Sequence, residues 1–328
     1  MKRREFITFL GGAVAWPLVT RAQQPDRMRR IGMLMAFSEN DPEGQNWARA
    51  FVQGLKELGW IGGVNTRFDV RWAKGDVALM APLAKELVAL QPDVILASTS
   101  PVLAALKQET STIPIVFVSV SNPVGAGFIR SLAQPGGNAT GLANYEAEMA
   151  SKWLAQLKEV SPTITRVGVL LHPDAAAHTA YWRELSAAAH SLNIIPVAIP
   201  YRNAVEIERN LNTFAAEPNG GLLVLAYIIA ITNRDLIIRL AAQNRMPAIY
   251  PFRVFVLDGG LMSYGIDLVE AHRRVATYID SILKGVSPAD LPVQLQTKFT
   301  MAINLKTAKS LGLTVPPTLL TSADEVIE

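Results

Sequence analysis

Three short stretches set hydroxyl and amide side chains directly after apolar, β-branched runs: Ser38-Glu39, Ser98-Thr99-Ser100 and Ser121-Asn122. Ser100-Pro101 and Asn122-Pro123 each read as a capping residue followed by proline at the first helical position, where a missing N–H costs nothing. The free amides beyond such caps, together with the hydroxyls, suit a carboxylate. Helix capping without any ligand suits the same residues equally well. A second group lies in the other half of the chain: His172-Pro173-Asp174, Ala226-Tyr227 and Tyr250-Pro251-Phe252-Arg253. Asp174 is placed to cap the next helix or to face an amine. Tyr227, Tyr250 and Phe252, with Tyr145 further back, offer flat apolar walls for a ring. Arg253 offers a bidentate partner for a carboxylate. The same aromatics suit a core, and the same arginine suits a surface.

Other chemistries find no footing. The chain has no cysteine, so disulfides, thiolate zinc sites and cysteine nucleophiles are excluded. Its histidines, at 172, 178, 190 and 272, show no zinc-ligand spacing with acids. His178 and His190 fall in or beside a helix and read as surface residues. No dinucleotide-binding glycine motif follows the first strand, and neither a phosphate loop nor a nucleophile elbow occurs. No cofactor and no metal are expected.

Residues that meet at a site must be carried there by elements, and these are legible. Apolar runs rich in β-branched residues recur at Ile31–Ala36, Asp93–Ala97, Ile113–Val118, Val167–Leu171, Ile194–Ile199, Leu222–Ala226 and Ala248–Tyr250. Lacking polar alternation, they suit strands buried on both faces of a parallel sheet. Between them, Trp47, Ala50, Phe51, Gly54, Leu55 and Leu58 mark one buried helix face, with Asp41 as cap, Pro42 at the first position and Gly59 at the stop. Asp267 and Glu270 form an expected capping box before the stripe Leu268, Val275, Tyr278, Ile279 and Ile282, which Gly285 ends. Strands alternating with helices imply a doubly wound α/β fold. The chain also echoes itself: Arg30-Ile31-Gly32-Met33-Leu34 opens one half and Arg166-Val167-Gly168-Val169-Leu170 the other. Two similar lobes would meet across a cleft, where small-molecule sites commonly lie.

At 328 residues, half of them hydrophobic, the chain has the length for two domains and the composition for a large core. Its formal charge of +3 is accounted for by residues 1–22, so the basic balance points to no nucleic-acid partner. Those residues run from Lys2-Arg3-Arg4 through an apolar stretch, Phe6 to Val19, to Thr20-Arg21-Ala22. The stretch is shorter than the roughly 20 residues a membrane-spanning helix needs, and the pattern is that of a signal peptide cleaved after Ala22. Arg3-Arg4-Glu5-Phe6-Ile7 resembles a twin-arginine signal, which implies export of a folded protein.

The segments Phe51-Val52-Gln53-Gly54-Leu55-Lys56-Glu57-Leu58-Gly59, Ile113-Pro114-Ile115-Val116-Phe117, Asn122-Pro123-Val124-Gly125-Ala126-Gly127 and Pro135-Gly136-Gly137-Asn138-Ala139-Thr140-Gly141 carry a resemblance. Ile303-Asn304-Leu305-Lys306-Thr307-Ala308-Lys309 and Ala323-Asp324-Glu325-Val326-Ile327 extend it to the tail. Over roughly residues 30–328 the sequence resembles ABC-type substrate-binding proteins related to tryptophan- and tyrosine-uptake binding proteins. The resemblance implies a type I periplasmic-binding fold whose chain crosses the hinge three times. Lobe one would comprise 28–143 plus 259–290, and lobe two 144–258 plus 291–328. Gly141 and Gly259-Gly260 would ease rotation at the crossings, or serve as ordinary turns. A family motif of Gly, a variable residue, Asp and two tyrosines survives as Gly265-Ile266-Asp267, with Leu268-Val269 replacing the tyrosines. Asp267 thus joins the expected ligand residues. The implied function is an exported, monomeric solute-binding component of an ABC importer. It would close on an amino acid or an apolar or aromatic carboxylate and dock on a permease. A ligand sensor for a membrane receptor and a periplasmic hydrolase are the other readings.

Overall fold

A computed structural model describes residues 27–144 and 146–328. The expected signal peptide and Tyr145 lie outside the described residues. The chain begins with β1 (Arg29–Met35), α1 (Pro42–Glu57), β2 (Thr66–Trp72), α2 (Met80–Ala89), β3 (Val94–Ala97), α3 (Ser100–Glu109), β4 (Ile115–Val120) and β5 (Ala139–Ala143). It then builds a second body from α4 (Met149–Val160), β6 (Arg166–Leu171), α5 (Ala176–Ala189), β7 (Ile195–Pro200), α6 (Ala204–Ala215) and β8 (Gly220–Val224). That body continues through α7 (Ile228–Thr232), α8 (Arg234–Gln243), β9 (Ala248–Tyr250), α9 (Arg253–Leu257) and β10 (Met262–Ile266). Helix α10 (Leu268–Leu283) and β11 (Gln294–Leu295) return to the first body. Strand β12 (Phe299–Asn304), α11 (Leu305–Ser310), α12 (Pro317–Ser322) and β13 (Glu325–Ile327) close the second.

The two sheets have the same inner plan. In lobe one the order is β11-β5-β4-β3-β1-β2, and in lobe two β13-β12-β10-β9-β8-β6-β7. Strands β1 and β6, which carry the sequence echo, occupy equivalent places, each flanked by the next two strands of its own lobe. The order reverses there, between β1 and β3 and again between β6 and β8. A reversal opens a crevice beyond the carboxyl ends of the strands.

The second and third crossing points fall later than the resemblance implied, while the first follows β5 at Ala143. Strand β10 hydrogen-bonds β9 and β12, so residues 262–266 belong to lobe two rather than lobe one. The second crossing is at Asp267, where α10 leaves to pack on α1. Strand β11 pairs with β5, so the chain stays in lobe one through Leu295. Strand β12 runs antiparallel to β10, which makes the second sheet mixed rather than wholly parallel.

The helix carrying the clearest signals forms as its sequence dictates. The Asp41 carboxylate accepts from the amides of Glu43 and Gly44, and Trp47, Phe51, Gly54 and Leu55 are buried. Leu58 is exposed, because the helix has already ended before it. Helix α10 is capped by Asp267, which accepts from the amides of Val269 and Glu270, and its whole predicted stripe is buried. The Glu270 carboxylate lies 3.8 Å from Arg273. Gly141 lies inside β5, with φ +150, and a Cβ there would meet the Phe117 carbonyl oxygen at 2.0 Å. It is a site of close strand approach and not a pivot.

Candidate ligand-binding site

The carboxyl ends of the central strands of both lobes face one another across a cavity of about 380 Å³, within the range of small-molecule sites. From lobe one come Thr99 and Ser100 after β3, Ser119 and Ser121 around the end of β4, and Asn144 just past β5. Lobe two supplies Asp174, the start of α5 with His178, and Ala226, Tyr227 and Ile228 after β8. Met80, Phe128, Ile231 and Phe252 make much of the apolar wall.

Lobe one presents polar atoms that nothing among the described residues satisfies. Thr99 precedes α3 without making a side-chain cap, and its buried Oγ1 has no hydrogen-bond partner. The same holds for Ser119 Oγ and for Asn144 Oδ1. Asn144 Nδ2 donates to Ser121 Oγ at 3.1 Å, which leaves the amide carbonyl as a free acceptor. Ser100 Oγ in turn accepts from the Ser121 amide at 3.3 Å. Ser119 owes its position to a bulge: the pairing of β4 with β5 shifts register between Phe117 and Val120, and Ser119 takes φ +60. An extra residue in one strand re-aims a side chain in this way. A buried polar group left unpaired costs about 1–3 kcal/mol, so these three oxygens, with Trp47 Nε1 as a fourth such atom on a lining residue, define what a guest must bring.

In lobe two, a buried histidine holds the crevice together. His178 Nδ1 accepts from the His172 amide at 2.8 Å, which fixes the remaining proton on Nε2, 3.2 Å from the Ala226 carbonyl oxygen. The ring thereby ties the end of β6 to the end of β8. Burial pushes its pKa down to about 4, so it is a neutral strut at physiological pH. The His172 ring stacks on Tyr227 with centroids 4.2 Å apart. Burial pushes the Tyr227 phenol up to about 12. Tyr181 of α5 shares a hydrogen bond with Ser121 across the cleft.

Of the residues expected from sequence, the structure brings Thr99, Ser100, Ser121, Asp174 and Tyr227 to one cavity. Ser98 is elsewhere: its hydroxyl accepts from the Ala36 amide and donates to the Leu34 carbonyl, so it locks β3 to β1. The Ser38 carbonyl accepts from the Asp41 amide, and Asn122 Oδ1 accepts from the Gly125 amide, so both shape turns. His172 is buried behind Tyr227. Asp174 does not cap α5 but pairs with Arg202 at 3.2 Å. Tyr250, the last residue of β9, stacks on Phe255 in the core of lobe two and is 1% exposed. His178 is buried, not on the surface as its helix suggested, whereas His190 is exposed.

Arg253 and Asp267 line a second cavity, of about 450 Å³, further along the same cleft. Arg253 makes a bidentate pair with Glu325, with the two side chains 51% and 33% exposed. The guanidinium is already engaged by a carboxylate of the protein. Arg253→Ala should change stability by less than about 1 kcal/mol and leave ligand affinity untouched; urea unfolding of the variant checks the first and calorimetric titration the second.

Sequence reasoning missed Ser119, Asn144 and His178. Ser119 carries a faint signal, a hydroxyl interrupting the apolar run Val118 to Val120, and Asn144 ends the run Gly141-Leu142-Ala143. His178 carries none. Among the described residues no helix is long and apolar enough to cross a membrane, and no group of His, Asp and Glu side chains is arranged to hold a metal ion.

Comparisons with known proteins agree with this architecture. The chain is 24% identical over 269 residues to a tyrosine-binding protein of Clostridioides difficile, covering 81% of this chain and 76% of that one. It superposes with a TM-score of 0.85 on an ABC domain from Streptococcus pneumonia in complex with L-Trp, at 24% identity over 91% of this chain and 99% of the other. A conserved domain protein of Vibrio cholerae gives 0.86 at 27% identity, covering 92% and 100%. A ligand-free, open substrate-binding protein of Clostridium difficile gives 0.66 at 22% identity, covering 91% and 99%. The family model for ABC transporter substrate binding proteins matches residues 40–327, and with that span covered the chain belongs to the ABC transporter substrate binding protein family.

Proposed function

We propose that the protein is an exported solute receptor that delivers an amino acid with an apolar or aromatic side chain to an ABC permease, without altering it chemically. The observation that carries the reading is the set of unpaired polar atoms on the lobe-one wall. The Asn144 carbonyl is an acceptor and requires a donor, as an ammonium group provides. The Thr99 and Ser119 hydroxyls can donate, and with the amides opening α3 and α5 they suit a carboxylate. Among the described residues no cationic side chain lines the cavity, so the carboxylate would be held by dipoles alone. The apolar body would then lie between Tyr227, Phe128 and Phe252. The tyrosine and L-Trp of the relatives' names fit this chemistry.

Export follows from the leader-like residues 1–22, and the working form is a monomer that docks through the rims of both lobes. Ligand touches both lobes only when they are closed, and so draws the population toward closure.

A screen of amino acids by thermal shift should find at least one aromatic or branched member that raises the unfolding midpoint by mass action. Asn144→Ala should then weaken that ligand by about 10- to 100-fold. The same variant should leave binding of the ligand's analogue lacking the amine unchanged. A uniform loss for both compounds would remove the amine from Asn144, and no response to any amino acid would remove the reading itself.

A further inference from the structure

The interlobe cleft is divided. The first cavity, about 380 Å³, and the second, about 450 Å³, share two lining residues: Trp47 of lobe one and Phe252 of lobe two. Trp47 is held rigidly, 1% exposed, with its ring edge-on to Phe37 and stacked on His272. Phe252 is 4% exposed and stands at the residue before α9. The spaces on either side differ in character. Among the described residues Asp174 is the one carboxylate lining the first, and it is turned to Arg202. The second is lined by Glu43, Asp267, Asp324 and Glu325 with Arg253.

We infer that Trp47 and Phe252 form a partition that sets the length of the ligand. Because the two rings come from opposite lobes, the partition is assembled only as the lobes close. A guest confined to the first cavity permits closure. A guest extending past it must displace Phe252 or hold the lobes apart, and it would enter a charged space with its own groups unmatched. Selectivity then arises from obstruction of the longer molecule as well as from contacts to the shorter one. This inference rests on the amino-acid reading of the first cavity and adds a limit on size.

The test is calorimetric titration of purified protein with L-tryptophan, glycyl-L-tryptophan and L-tryptophylglycine, with 3-indolepropionate and its glycine conjugate run alongside. Wild type should prefer each short probe to its extended form by about 100-fold or more, and Phe252→Ala should narrow that ratio to about 10-fold or less through tighter binding of the extended form. Phe252→Leu, which keeps more of the buried volume, should narrow it partway and serves if the alanine variant does not fold. Wild-type discrimination is a further reading that needs no variant. Equal affinity of wild type for short and extended probes overturns the partition, and so does an unchanged ratio in both variants. If indolepropionate binds and L-tryptophan does not, the amino-acid reading fails and the partition is judged on the indolepropionate pair. Binding of no short probe overturns the partition, and the amino-acid reading falls with it only if the thermal-shift screen of amino acids is silent as well.

Discussion

Gly141→Ala is expected to cost more than about 4 kcal/mol and to leave little or no folded protein. The added methyl group would sit 2.0 Å from the Phe117 carbonyl oxygen, 2.7 Å from its nitrogen and 2.8 Å from its carbonyl carbon. All three are backbone atoms of a paired strand, so no side chain can swing aside. The conformation at φ +150 is itself one that an L-residue rarely adopts. Gly285→Ala is the matched control. There φ is +99 and nothing lies within 4 Å of the added atom, so only the backbone preference is lost, at about 1–2 kcal/mol. Thermal or urea unfolding of the two variants separates the effects. A Gly141→Ala protein melting within a few degrees of wild type would mean that β4 and β5 can move apart. The bulge that aims Ser119 into the cavity would then be soft.

The second large effect is a loss of stability as pH falls from about 6.5 to about 4. His178 and His272 are buried, and burial pushes each down to about 4 from an ordinary value of 6.5. In that window the unfolded chain takes up protons that the folded chain refuses, so protonation favours unfolding. The stabilisation is fully present above pH 6.5, is lost as pH falls toward 4, and changes no further through these groups below that. Each residue contributes on the order of 3 kcal/mol across the window. His272 donates from Nδ1 to the Leu268 carbonyl at 2.7 Å, and its ring lies against Trp47. Adding a proton there places an unpartnered charge among apolar rings. Urea midpoints measured at pH 7 and pH 4.5 should differ sharply, and His272→Gln should remove about half of the difference, the rest remaining with His178. A flat profile in wild type would show that these rings reach water.

Much of the fold was legible because local and global signals agreed. Asp41, Pro42 and the spacing of Trp47, Phe51 and Leu55 define α1 without reference to anything else. The echo between Arg30–Leu34 and Arg166–Leu170 marked the two strands that hold equivalent places in their sheets. Strands β2, β10 and β12 escaped notice for physical reasons. Strand β2 lies at a sheet edge with Arg67, Asp69 and Arg71 alternating along it, so it lacks the continuous apolar run of a central strand. Strand β10 contains Ser263 and Gly265, and β12 pairs antiparallel with it, an arrangement no local pattern announces. The site was legible only as strand ends. Thr99, Ser121 and Tyr227 could be placed because polar residues after apolar runs face a crevice. Ser119 and Asn144 depend on the β4–β5 register, which is tertiary. The pairing of Arg253 was hidden because its acidic partner, Glu325, arrives from the far end of the chain.

The late return of α10 to lobe one bears on how the polypeptide matures. Its packing on α1 joins residues more than 200 positions apart, as the Arg273 to Glu57 and Trp60 to Asp280 hydrogen bonds do. Contacts of such high sequence separation form slowly, since the intervening chain must be closed into a loop first. While a ribosome is still making lobe two, the emerging lobe one has an uncovered flank where Trp47, Phe51 and Leu55 will later be sheathed. No single cut releases either half intact, and a holding chaperone has an apolar target until residue 283 has emerged.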